Sequence, residues 1–140
     1  MDHPSRGQQR FKNFERAYQQ FISVTQNCDA ISLSELEQDG FVQRFEYTFE
    51  LAWKTLRDYL LENGYKLDSP KSVIRQAYQS GYIADGEIWM DALEKRNNTV
   101  HTYNQEILKE TIRFLTEEFQ PALEQLHAFL SGEFNAIRPD

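Results

Sequence analysis

Residues 41–63, FVQRFEYTFELAWKTLRDYLLEN, constrain the fold more than any other stretch of the chain. Val42, Phe45, Phe49, Ala52, Trp53, Leu56 and Leu60 recur mostly at three- and four-residue steps, which places them on one face of an α-helix. A helix with so broad an apolar face is stable in water only when other helices cover it. The rest of the chain supplies candidates. Over residues 7–26, Phe11, Phe14, Tyr18, Phe21 and Ile22 form one stripe, with Arg10, Lys12, Glu15 and Arg16 largely off it. Ser69 and Pro70 give an N-cap and a first-turn proline to a helix that Gly81 can close, with Val73, Ile74 and Ala77 as its buried face. Asp85 can cap a fourth helix carrying Ile88, Trp89, Ala92 and Leu93, which is interrupted near Asn97 and Asn98.

A final helix is expected over about residues 99–130, where Ile107, Leu108, Ile112, Leu115, Phe119, Leu123, Leu126 and Leu130 keep one stripe. Pro121 lacks an amide donor and should kink or split it. Ser32 followed by Glu35 fits a capping box for a short acidic turn, with Gly40 as the break before the long helix. Asn63 and Gly64 stop that helix, and residues 131–140 read as a flexible tail. Strand-favouring Val, Ile and Thr are sparse, so the expected architecture is all-α, an antiparallel bundle of four to five helices forming a single domain over residues 1–140.

Composition excludes several functions. Ten Phe, seven Tyr and two Trp among 140 residues rule out a disordered chain. A mean hydropathy of −0.68 describes a well-solvated surface. No window holds the roughly 18 consecutive apolar residues of a membrane span, and the first ten residues lack an apolar signal core, so the expectation is a cytoplasmic protein with no membrane contact. Cys28 is the sole cysteine, and it does not combine with His3, His101 and His127 at any zinc-site spacing, so no metal or cofactor is expected. The six glycines are too dispersed for a phosphate loop or dinucleotide fingerprint. With 15 Lys and Arg against 22 Asp and Glu, a net charge of −7 argues against a broad phosphate-tracking surface and leaves room for a local basic site.

Chemistry concentrates in residues 95–104, KRNNTVHTYN, where Val100 alone lacks a hydrogen-bonding side chain. On an unbroken helix Arg96 and His101 would lie about 140° apart, so a shared site needs a turn at Asn97 and Asn98 or a second chain. With Asn98 as the cap of the last helix, His101 would occupy its first turn, where the macrodipole favours neutral imidazole and free amides accept an anion. A neutral histidine can act as a base, and an arginine can hold a phosphate. The same polarity also fits a plain solvated helix junction. On the 44–60 helix, Glu46 or Glu50 could orient an imidazole and Arg44 could bind phosphate, though pairs such as Glu50 with Lys54 and Lys54 with Asp58 account for such charges structurally. Trp53 and Trp89 read as core, and His127 as a helix-surface residue.

At these residues the sequence resembles the HEPN superfamily, in particular its nucleotidyltransferase substrate-binding, HepT-like toxin branch. Arg96, His101 and Tyr103 reproduce that branch's R-x4-H-x-Y signature. RFEYTFELAWKTLRDYL at 44–60 looks like its long central helix, and with SPKSVIRQAY at 69–78 the resemblance extends over about residues 8–130. It implies a homodimer, encoded beside a minimal nucleotidyltransferase, with the two signatures facing each other. It further implies metal-independent endoribonuclease activity within a toxin–antitoxin pair. His101 would serve the 2′-hydroxyl or the leaving oxygen, Arg96 would stabilise the phosphorane, and the product would carry a 2′,3′-cyclic phosphate. Tyr103 matches the tyrosine that receives AMP from the partner. The alternative is a non-catalytic, substrate-binding subunit of a two-component nucleotidyltransferase.

Overall fold

The computed structural model describes residues 6–27, 29–98 and 104–136. Six α-helices follow in order: α1, Arg6–Asn27; α2, Glu35–Glu62; α3, Pro70–Gln79; α4, Gly86–Asn98; α5, Gln105–Phe114; and α6, Gln120–Ala136. A 3-10 turn, Ala30–Ser32, precedes α2, and a π turn, Leu115–Phe119, joins α5 to α6. Since α5, the π turn and α6 are continuous, the molecule is a bundle of five helical arms, and no strand occurs among the described residues.

The 28-residue α2 is the spine, and every member of its sequence-predicted stripe is buried. Against it α1 runs antiparallel, in a register fixed by polar contacts along its length. Arg10 Nε meets Asp58 Oδ2 at 2.5 Å, Thr48 Oγ1 donates to the Ala17 carbonyl at 3.4 Å, and Arg44 donates to the Gln20 carbonyl at 3.0 Å. Asp58, buried and shared by Arg10 and Arg57, is therefore not the partner of Lys54 that a four-residue spacing suggested. Helix α6 closes the other side of α1. There the His127 ring stacks on Tyr18 at 3.9 Å and its Nε2 lies 3.3 Å from Glu15, so this histidine is sandwiched between helices rather than displayed on the surface.

Several expected boundaries move, each for a local reason. The capping box forms two residues later than expected, with Ser34 accepting from the Glu37 amide and Glu37 from the Ser34 amide. Helix α2 then passes through Gly40 without a break. Gln38, Phe41, Val42 and Phe45 are all buried there, and that burial outweighs the roughly 1 kcal/mol cost of a mid-helix glycine. Gly81, at φ +79°, does close α3 as expected. Asn98 belongs to α4; Asn104 caps α5, accepting from the Glu106 amide at 2.8 Å. Helix α6 continues to Ala136, six residues into the expected tail, because Phe134 is buried and stacks on Phe11 at 5.2 Å. Ile107, placed on the last helix's apolar stripe, is instead 47% exposed.

Pro121 does perturb the last helix, by widening it. The Gln120 amide donates to Leu115, a five-residue step that carries the chain past the amide Pro121 cannot offer. The wide turn sets Phe119 at the centre of the core. Its ring meets Phe45 at 5.1 Å and Trp89 at 5.2 Å, both edge-on, and Phe21 at 6.0 Å. Trp89 and Trp53 are both buried, which establishes them as packing residues.

Candidate functional site

Arg96 lies in the last turn of α4, where a cation complements the helix dipole. Two neighbouring contacts fix the end of this helix. Lys95 Nζ sits 4.9 Å above the Phe114 ring of α5, and the Arg96 guanidinium donates to the Glu50 carboxylate of α2. Arg96 also donates to Asn97 Oδ1 at 3.2 Å. Glu50 receives a second cation, Lys54, one turn along α2 at 3.1 Å. Burial alone would raise the Glu50 pKa, but attraction from the Trp53 N–H, Lys54 and Arg96 outweighs it and holds the carboxyl below its ordinary value. The Trp53 Nε1 itself is buried without a partner at normal hydrogen-bond geometry among the described residues, so its attraction to Glu50 is a longer-range one.

Of the residues singled out by sequence, Arg96 and Asn97 are brought together, and Asn98 ends α4 beside them. Glu46 sits one turn before Glu50 on the same side of α2, half-buried and engaged in a contact of its own. The structure does not add Arg44 to the group, since its guanidinium is directed at the Gln20 carbonyl of α1. His101 and Tyr103 lie outside the described residues, as do His3 and Cys28. Glu50 is the site residue that sequence reading undervalued. Its spacing to Lys54 offered a sufficient local explanation, and nothing in the linear sequence showed that α4 would end against the same carboxylate.

The segment carrying His101 and Tyr103 is flanked by two anchored ends, both on α2. Arg96 ties the preceding helix to its middle, and Gln105 Nε2 donates to Glu35 Oε2 at 3.1 Å near its start. The carboxylate holds the guanidinium in one orientation and neutralises part of its charge. Among the described residues, no three His, Cys, Asp or Glu side chains converge as metal ligands, and no helix is long and apolar enough to cross a membrane.

The arginine that opens the R-x4-H-x-Y signature thus sits at the end of α4, fixed against the central helix of the bundle. The family model described as "Nucleotidyltransferase substrate binding protein like" matches residues 9–132, and the chain belongs to this branch of the HEPN superfamily. A curated protein of Haemophilus influenzae named "Probable ribonuclease HepT" is 33% identical over 72 residues. That match covers 48% of this chain and 49% of the relative, so the chain spans about half the length of the curated relative it matches. The crystal structure of a Thermus thermophilus protein superposes with a TM-score of 0.71 at 35% identity, covering 84% of this chain and 98% of that one.

Proposed function

We propose that the protein is the HEPN-type subunit of a pair with a minimal nucleotidyltransferase, and that it acts as a metal-independent endoribonuclease on RNA. The observation that carries this reading is the Arg96 guanidinium, held by Glu50 five residues before His101 in the signature. In the proposed reaction the 2′-oxygen forms a bond to phosphorus as the P–O5′ bond breaks. The 2′-hydroxyl proton passes to one His101, and a second His101, from the other copy of a homodimer, protonates the departing 5′-oxygen. Arg96 neutralises the equatorial oxygens of the phosphorane, and the products are a 2′,3′-cyclic phosphate and a 5′-hydroxyl. Acid–base assistance of this kind contributes about 10²–10⁴-fold, and loss of an oxyanion donor costs about 10²–10³. Tyr103 is the acceptor through which the partner silences the site: its phenolic oxygen attacks the α-phosphorus of ATP, releasing pyrophosphate, and the resulting AMP diester repels RNA.

The second reading is a substrate-binding subunit without nuclease activity, which the net charge of −7 and the internal neutralisation of Arg96 by Glu50 favour. A gel assay of the purified protein with RNA and EDTA separates the two. Cleavage to cyclic-phosphate ends, lost in Arg96→Ala and His101→Ala, supports the ribonuclease; intact RNA with retained binding of the nucleotidyltransferase gives the function to the second reading.

A further inference from the structure

Three of the seven large apolar residues that stand exposed among the described ones lie on a single line of α2: Leu36 at 81%, Tyr47 at 57% and Leu61 at 56%. Their separations along the chain are close to whole numbers of helical turns, so the three share the outer face of the helix. The charged groups along this face are satisfied within the chain. Glu50 is held by Lys54 and Arg96, Arg57 pairs with Asp58, and Glu46 has a contact of its own. A face neutralised in this way offers neither sign of charge to a partner, and two copies of it can meet without repulsion. The apolar residues are also placed symmetrically, since Tyr47 lies within two residues of the midpoint between the two leucines. A two-fold pair of antiparallel helices makes each contact twice, once in each direction. Setting Leu36 opposite Leu61 therefore fixes the whole register, and it sets Tyr47 opposite Glu50 and Gln43 opposite Lys54.

We propose that two copies of the chain pair antiparallel along this face of α2, with Leu36 of each against Leu61 of the other and the Tyr47 hydroxyl of each donating to Glu50 of the other. The inference rests on the homodimer in the functional reading above and names its interface and register. At 1.5 Å per residue the seam runs about 37 Å from one leucine pair to the other, and the two Tyr47 rings stand about 4.5 Å apart along it, on either side of the axis. Large aromatic side chains at the centre of an interface are where most of its energy is gained. A carboxylate has about four acceptor positions, so Glu50 has room for a phenol beside Lys54 and Arg96. Gly40 falls opposite Arg57 in this register, and it has no side chain to meet the guanidinium that lies over the Trp53 ring. The same register carries both Arg96–Glu50 pairs to the middle of the seam, so each candidate site is completed by a tyrosine of the other copy. A chain of different sequence has no need of anchors arranged about one point; a second copy requires them.

Sedimentation velocity on the full chain tests the register by charge exchange. Wild type should sediment as a dimer of the 16.6 kDa chain at micromolar concentration. Leu36→Lys and Leu61→Lys should each weaken the dimer at least about tenfold while helical dichroism stays unchanged, because both leucines are exposed in the folded chain. Leu36→Lys combined with Leu61→Glu should recover the dimer, since the two substitutions meet across the seam, and Leu36→Lys combined with Leu61→Lys should not. Tyr47→Phe keeps the ring and loses the donor, and should weaken the dimer about tenfold. A monomeric wild type overturns the proposal, as does a dimer indifferent to the leucine and tyrosine substitutions or one that the opposite-charge double variant fails to recover. RNA cleavage by wild type, lost in Arg96→Ala, reports on the ribonuclease reading independently. A dimer that obeys the exchange yet cuts no RNA keeps the interface and sinks the ribonuclease, whereas cleavage by a dimer that ignores the α2 substitutions sinks only the interface.

Discussion

The Arg96–Glu50 pair couples two properties that experiment can separate. Arg96→Lys keeps the charge and loses the planar fork, so RNA cleavage should fall at least tenfold while thermal stability stays within about 0.5 kcal/mol, measured by initial rates and by urea unfolding. Glu50 carries a pH signature of its own. Its carboxyl titrates below the ordinary value of 4.5 when folded, so the stabilisation it contributes is present above that pH and is lost as pH falls through the depressed value. Acid-unfolding curves should therefore separate wild type from Glu50→Gln at pH 6 and converge at the acid end; a gap that stays constant down to pH 3 contradicts the assignment. Arg96 was conspicuous in the sequence as a planar cation in a polar helix junction and as the first residue of the R-x4-H-x-Y signature. Its partner was not, because a contact between residues 46 positions apart depends on how α4 crosses α2, and periodicity within either helix says nothing about that crossing.

At the level of elements, the apolar stripes identified every long helix, since a buried face of Phe and Leu leaves a period that survives in any context. Boundaries were harder where two weak signals competed. Gly40 looked like a break because glycine is a poor helix former, yet the apolar period ran straight through it. A methyl group there would meet nothing within 4 Å, so Gly40→Ala should stabilise the protein by about 0.5–1 kcal/mol in urea denaturation. Gly81→Ala, at a positive φ, should destabilise it by a similar or larger amount. Pro121 signalled a disturbance without saying which kind. A five-residue step inserts one residue into the turn and advances the phase of the stripe by about 100°, and Ile112, Phe119 and Leu123 are all buried across it. Truncating that ring by Phe119→Ala should cost about 3–5 kcal/mol, read from the midpoint of thermal or urea unfolding.

For the molecule as a whole, the alkaline limit should be set where α2 meets α6. Tyr59 packs edge-on to Phe129 and Phe134, and burial, followed by the charge of Glu133 and the nearby Tyr82, pushes its phenol up to about 12. The folded form holds this proton more tightly than the unfolded chain does, so its full stability is kept below pH 10 and declines between pH 10 and 12. Tyr59→Phe should flatten that decline in far-ultraviolet dichroism at constant temperature. The candidate site is placed differently, because both ends of the segment bearing His101 and Tyr103 are moored to the same helix, at Glu50 and Glu35. A bridge with both abutments on one span keeps its length when the ground on either side shifts. Rocking of α1 or α6 against the rest therefore leaves the distance between the two moorings, Arg96 on Glu50 and Gln105 on Glu35, unchanged.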